Sequence, residues 1–103
     1  SNAMNITSDN YTYATAITPY IGKKFDISIA VSKEGVHNAK EFKMIVFDAT
    51  HYEIVESVSV GSGSTSVAVT PSVADNSLNI NVLNKNGGKM IVTISNLTSA
   101  VAA

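Results

Sequence analysis

Short segments in which apolar and polar residues alternate are the feature that most constrains this chain. In residues 25–31, Phe25, Ile27 and Ile29 point one way while the residues between them point the other. A period of two is the period of a β-strand with one packed face and one exposed face. Seven such segments are separated by turn-forming residues: 11–18, 25–31, 42–48, 52–60, 65–70, 78–83 and 90–96. They predict an all-β fold, an immunoglobulin-like (Greek-key) β-sandwich of about seven strands.

The composition also favours strands over helices. Val, Ile and Thr supply 12, 10 and 9 residues and Leu only 3, and β-branched side chains pack well on a pleated sheet. The one helical signal is Asn38 and Glu41 at capping-box spacing, which predicts a single turn within a loop. We expect the inner faces to contribute these core residues: Ile27, Ile29, Met44, Val46, Val58, Ile80, Val82, Val92 and Ile94.

The length of 103 residues corresponds to one domain. Residues 1–3 have the sequence of a tag remnant, which leaves 4–103 as a single β-sandwich domain. Between strands, we expect a flexible hairpin connector at 61–64, a turn at 75–77 and a tight hairpin at Asn86–Gly87, because these residues favour turns or positive φ.

Two strands depart from simple alternation. In 42–48, Ile45 and Phe47 lie on the face opposite to the other large apolar residues. Such a strand is either covered on both faces or exposes an apolar surface for a partner. From the strand alone we favour the covered arrangement, in which a loop such as 36–41 would cover the second face. In 52–60, Glu56 shares a face with apolar residues, which predicts a bulge or a change of sheet near Glu56 that turns it outward.

Charge and cysteine content exclude several classes of function. The net charge is −1, all seven basic residues are Lys, and there is no Cys. Nucleic-acid binding usually needs a basic surface with Arg, so we expect no nucleic-acid partner. Disulfides, zinc–thiolate sites and cysteine nucleophiles are excluded by the absence of Cys.

No pattern of reactive residues predicts catalysis. His37 and His51 lie in predicted loops, and the spacing of Asp48, His51 and Glu53 matches no metal motif. No serine lies in a nucleophile elbow, and the glycines at 61–64 lack the Lys and helix of a phosphate loop. We therefore expect no enzyme activity, no catalytic residues, no cofactor site and no metal site.

The beginning of the sequence leaves the location of the protein open. No run reaches the ~18 apolar residues of a membrane span, and no basic segment followed by an apolar segment lies near the start. If Met4 is the natural start, we expect a cytoplasmic or virion protein. If a signal has been removed, we expect an extracellular or cell-surface protein.

Tyrosines offer a second type of surface. Tyr11 and Tyr13 share one face of the segment 11–18, and aromatic faces can stack on sugar rings. The alternative is ordinary strand packing with the hydroxyls at the rim. The chain has no Trp, which weakens the carbohydrate interpretation.

The stretch from Gly22 to Gly61 resembles the first half of a cohesin domain, the bacterial sandwich module of cellulosome scaffolds. The resemblance consists of a Gly before an alternating strand, a Gly-Val loop, an apolar strand ending in an aromatic residue and Asp, and a Val-rich strand before a Gly turn. These elements correspond to Gly22, Phe25–Val31, Gly35–Val36, Phe42–Asp48, Ile54–Val55, Val58, Val60 and Gly61. The resemblance implies the sandwich architecture and no dockerin-binding positions, because the second half is shorter than a cohesin.

The sequence therefore predicts a non-enzymatic, cohesin-like binding or structural module that mediates protein–protein interaction. One alternative is a phage or prophage virion structural protein, and another is a carbohydrate-binding module. We expect a protein partner or self-association, through a strand edge or an apolar sheet face. The candidate interaction residues are Ile45, Phe47, Tyr11 and Tyr13.

Overall fold

The computed structural model describes residues 3–61 and 69–101, and most of these residues lie in β-strands. The strands are β1 Met4–Asn5, β2 Asn10–Ala16, β3 Lys23–Lys33, β4 Val36–Asp48, β5 His51–Gly61, β6 Val69–Ala74, β7 Ser77–Leu83 and β8 Lys89–Ser99. A short 3-10 turn covers Thr18–Tyr20. The all-β prediction is confirmed. Within the described residues there are eight strands rather than the expected seven, because β1 precedes the first predicted strand. Residues 65–68 of the predicted fifth strand lie outside the described part of the chain.

The strands form two antiparallel sheets that pack as a sandwich. The larger sheet has the order β1-β8-β3-β4-β5, and the smaller has the order β2-β7-β6. Strands β3, β4 and β5 follow one another as neighbours, and β8 returns beside β3 after the chain has crossed to the other sheet. This return is a Greek-key connection. The expected immunoglobulin-like sandwich is therefore confirmed.

The core lies between the two sheets and is formed by alternate residues of the strands. Ile27, Val46 and Ile80 are 0 % exposed. Of the nine predicted core residues, these are buried: Ile27, Ile29, Met44, Val46, Ile80 and Val82. Val92 and Ile94 are partly buried and pack against the core. The side chain of Val58 lies outside the described part of the structure.

Strands β3 and β4 have 11 and 13 residues, longer than the segments predicted at 25–31 and 42–48, and they form one hairpin. Its turn is Glu34–Gly35, where both residues have positive φ, 51° and 78°, as in the tight turns that match strand twist. The helical turn predicted at Asn38–Glu41 is wrong, because these residues pair with β3 from Val31 to Ser28. The capping-box spacing carries little energy compared with a continuous ladder of backbone hydrogen bonds.

Two predicted connectors have different outcomes. At Asp75–Asn76 the turn is confirmed, with φ of 54° and 59°, and it joins β6 to β7 through the pair Ala74 and Ser77. The hairpin at Asn86–Gly87 is wrong, since β7 and β8 belong to different sheets. There the Gly87 N–H donates to the Ile6 carbonyl at 2.8 Å, so the turn residues support a crossing between sheets.

The connector predicted at 61–64 lies outside the described residues beyond Gly61. The two strands on either side of it, β5 and β6, belong to different sheets and so are not hairpin partners.

The bulge predicted near Glu56 is confirmed, but the prediction that it turns Glu56 outward is wrong, because Glu56 pairs with the buried Phe42 and so shares the inner face of the sheet. Glu41 pairs with Val58 and Phe42 with Glu56, so Ser57 is the extra residue. The Glu56 side chain is 46 % exposed, and its carboxylate lies 3.5 Å from the Lys40 ammonium. On this edge strand the Glu56 carboxylate is therefore both hydrated and paired with Lys40, so it is not buried without a partner.

Candidate interaction surface

The outer face of the five-stranded sheet carries Ile45 and Phe47. In β4, Met44 and Val46 face the core at 1 % and 0 % exposure, and the strand period places Ile45 on the opposite side. Phe47 follows as the extra residue of a bulge, because Val46 pairs with Tyr52 and Asp48 with His51. Phe47 is 46 % exposed and Ile45 is half-buried. The expectation that β4 is covered on both faces is wrong, because 36–41 forms part of β4 itself and the described residues form only two layers.

Val55 belongs to the same surface and was missed by the sequence analysis. It pairs with Lys43 of β4 and is 64 % exposed. Cross-strand partners share one face of a sheet, so Val55 faces outward with Lys43. The sequence contains a signal for this position, because Val55 lies between Ile54 and Glu56 in an alternating segment and therefore points to the opposite face from them. We refer to Ile45, Phe47 and Val55 as the outer-face patch.

A polar cluster lies beside the outer-face patch. Asp26 of β3 is the cross-strand partner of Lys43, and the Lys43 ammonium donates to Asp26 Oδ1 at 3.2 Å. Asn96 of β8 donates its side-chain amide to Asp26 Oδ2 at 2.7 Å. The Asn96 hydrogen bond, and then the bond from Lys43, lower the pKa of Asp26 below its ordinary value. Both carboxylate oxygens are thus occupied, and the carboxyl group stays ionised.

Bulges on both sides of this cluster shape the outer face. Ser57 is the extra residue of β5, and the register of β8 against β3 shifts between Lys24 and Asp26, where Asn96 has a φ of 57°. Bulges bend a strand and increase its twist. Two shallow depressions of about 400 and 430 Å³ share Asp26, Lys43 and Asn96 in their linings, so this face is concave there.

The open edges of the same sheet are less suited to pairing with another chain. β5 carries Glu53 and Glu56 beside its bulge. β8 is paired with β1 only at Lys89 and Met90, and its remaining length contains the second bulge. Charges and bulges are the usual protection of edge strands against pairing. The outer face, rather than either edge, is therefore the candidate interaction surface.

Tyr11 and Tyr13 lie in the other sheet, away from Ile45 and Phe47. They pair with Val82 and Ile80 of β7, and both are half-buried and pack against the core. The structure therefore brings Ile45 and Phe47 together but does not join the tyrosines to them. The aromatic faces of Tyr11 and Tyr13 contribute to ordinary strand packing, which is the arrangement given above as the alternative to a sugar platform.

The turn between β4 and β5 is organised around Asp48. Its Oδ1 accepts hydrogen bonds from the backbone N–H groups of Thr50 and His51, both at 2.9 Å, and lies 2.9 Å from His51 Nδ1. The Thr50 backbone hydrogen bond, followed by the contact with His51, lowers the pKa of Asp48 from 3.8 to about 2. The second histidine, His37, lies 2.8 Å from the Ser32 hydroxyl. The prediction that the two histidines lie in loops is wrong, because His37 belongs to β4 and His51 is the first residue of β5. Each imidazole has a polar neighbour within hydrogen-bonding distance.

Within residues 3–61 and 69–101, no three His, Cys, Asp or Glu residues gather in a way that could hold a metal ion. None of the elements described there is a helix long and apolar enough to cross a membrane.

Three comparisons with known proteins find no relative of this chain. No protein-family model matches the chain, and neither the curated proteins nor the solved structures contain a significant match.

Proposed function

We propose that this chain is a non-enzymatic binding module, cohesin-like in architecture, that binds another protein through the outer face of its five-stranded sheet. The observation that carries the proposal is the outer-face patch, in which Phe47 and Val55 are 46 % and 64 % exposed. Clustered apolar side chains on a sheet face leave apolar area in water that a partner can cover, at about 25 cal/mol per Å².

The opposite outer face of the sandwich provides a contrast within the same molecule. On the three-stranded sheet, the outward positions of β2 and β7 include Thr12, Ala14, Asn79 and Asn81. The Asn81 amide donates to the Thr12 hydroxyl at 2.9 Å and to Asn10 Oδ1 at 2.7 Å. Small and polar side chains that bond to one another are typical of a face that stays in water. Apart from Leu83, which is 39 % exposed at the end of β7, the outward positions of β2 and β7 are small or polar, whereas the other outer face carries the outer-face patch.

The composition of the proposed face also fits a protein interface. An exposed aromatic residue, Phe47, lies beside aliphatic residues. The nearby carboxylate of Asp26 is already paired with the Lys43 ammonium and accepts a hydrogen bond from the Asn96 amide. Interfaces place aromatic anchors near their centre and avoid unpaired charge there. A partner can cover Asp26 without leaving its carboxylate unsatisfied.

The experiment compares capture of partners by matched variants. Phe47→Ser removes the aromatic anchor, and Leu83→Ser makes the same kind of change at a residue of β7 that is 39 % exposed. Each immobilised variant is incubated with an extract of the native host, and captured proteins are identified by mass spectrometry. We expect a protein captured by wild type and Leu83→Ser to be lost with Phe47→Ser, at an unchanged melting temperature. Equal capture by all three would contradict the proposal.

A virion structural protein is the alternative that uses the same surface. In that case the outer-face patch would be buried between neighbouring subunits of an assembly. Genes for phage tail proteins next to the gene for this chain would favour this alternative, and genes for surface or glycan-degrading proteins would favour a binding module.

A further inference from the structure

We infer that the outer face of the five-stranded sheet binds a second copy of this chain in a two-fold symmetric, face-to-face dimer. This inference rests on the proposed function, because it names the partner of the same surface. Charges of opposite sign, Lys24 and Glu53, flank Ile45 of the outer-face patch.

A row of three residues crosses the outer face at Ile45. Lys24 of β3 and Glu53 of β5 are both direct cross-strand partners of Ile45. All three therefore share the outer face, with a cation on one side of an apolar residue and an anion on the other. Lys24 and Glu53 are both exposed.

Lys24 and Glu53 do not form an ion pair within one copy. Two strand spacings separate them, or about 10 Å, and the ion pairs among the described residues involve neither side chain. Each side chain is therefore available to a charge of opposite sign on a facing surface.

A two-fold axis that runs along β4 in the plane of the interface makes this row complementary to itself. Rotation about such an axis exchanges the β3 side with the β5 side. Lys24 of each copy then lies over Glu53 of the other, while Ile45 meets Ile45 on the axis. Sheets pack face to face about 10 Å apart with nearly aligned strands, a distance that Lys and Glu side chains can span. The dimer thus forms two ion pairs, one on each side of the contact between the two Ile45 side chains.

Lys43 also lies on β4 and would meet its own copy near the axis. However, its ammonium bonds to Asp26 on β3, which draws it to one side. In the second copy the same bond draws Lys43 to the opposite side, because the axis exchanges the two sides of β4. The internal bond therefore separates the two like charges that symmetry brings together.

The test uses mixing of two charge-reversal variants. In Lys24→Glu, two acidic residues face each other at both contacts of the dimer, and in Glu53→Lys two basic residues do. Like charges placed opposite each other oppose association, so we expect each variant to self-associate at least about tenfold more weakly than wild type. An equimolar mixture restores opposite charges at both contacts. Sedimentation velocity should then show a heterodimer of near wild-type affinity.

Three outcomes separate this inference from the proposed function. Wild type that remains monomeric at all accessible concentrations overturns the dimer, and a mixture that associates no better than either variant overturns its geometry. Host-protein capture that is lost with Phe47→Ser would still support the proposed function in both cases. The control Lys89→Glu reverses a charge at the far end of β8 and should leave self-association unchanged.

Discussion

Val46 and Phe47 are neighbours in β4, yet Val46 is completely buried and Phe47 is 46 % exposed. Val46 packs between the sheets, whereas Phe47 is the extra residue of a bulge between Val46 and Asp48 and its side chain is left in water. A second apolar face on a strand of a two-layer sandwich has nothing within the described chain to cover it. The proposal of a binding surface follows from this relationship.

Truncation of Ile80 tests the location of the core. Ile80 is 0 % exposed in β7, and Ile80→Ala should lower the free energy of unfolding by about 2–5 kcal/mol, because it removes buried methyl groups and leaves a cavity. Leu83→Ala, at an exposed position of the same strand, should change it by no more than about 0.5 kcal/mol. Chemical denaturation of both variants makes the comparison, and equal losses would place the core elsewhere.

At the turn Asp75–Asn76, we expect the effect of a substitution on stability to depend on backbone conformation alone. Asn76 has a φ of 59°, a region that Gly and Asn tolerate and β-branched residues avoid. Asn76→Ile should therefore destabilise the protein by about 1–3 kcal/mol, whereas Asn76→Gly should be close to neutral. Thermal unfolding distinguishes the two variants. A loss of stability as large in the glycine variant would show that the Asn side chain, and not φ, matters there.

The sequence predicted elements whose signals are local and repeated. The alternation of Ile27 and Ile29 predicted a buried strand face, and the charge of Glu56 in an apolar pattern predicted the bulge at Ser57. The crossing from β7 to β8 was not predictable, because an Asn-Gly pair permits a tight turn equally well between strands of one sheet or of two.

The candidate site was predicted in part. Ile45 and Phe47 followed from apolar residues on both faces of one strand. The cluster of Asp26, Lys43 and Asn96 joins three strands and depends on their register, which a single segment does not encode. Tyr11 and Tyr13 showed a shared face in the sequence, but only the pairing of β2 with β7 places that face toward the core.

The lowered pKa of Asp48 predicts that the stability of the protein depends on pH in the acid range. Its pKa is lowered from 3.8 to about 2 in the folded protein, so its contribution is complete above the unfolded pKa and is lost as pH falls through the folded pKa. As pH falls from 3.8 to about 2, the free energy of unfolding should therefore decrease less steeply in Asp48→Asn than in wild type. Urea denaturation across this acid range measures the difference, and Glu41→Gln controls for the loss of an exposed carboxylate. Identical slopes in wild type and Asp48→Asn would contradict the assignment.

Removal of the Asn96 side-chain amide should change the pKa of Asp26. Its amide hydrogen bond is the largest cause of the lowered pKa of Asp26. Asn96→Gly keeps the positive φ of the bulge and removes this donor, so the pKa of Asp26 should rise while the Lys43 bond keeps it from rising fully. An NMR titration of the Asp26 carboxyl carbon measures the shift. An unchanged pKa would mean that the side-chain amide does not donate to Asp26 in solution.

The most direct test of the proposed surface maps binding residue by residue. Amide chemical shifts of isotope-labelled protein are followed while the captured partner is added, or concentrated unlabelled protein where the partner is a second copy. We predict that the largest changes fall on the outer face of the five-stranded sheet, around Ile45, Phe47 and Val55, and that Phe47→Ser removes them. Changes confined to β2, β6 and β7 would contradict the account.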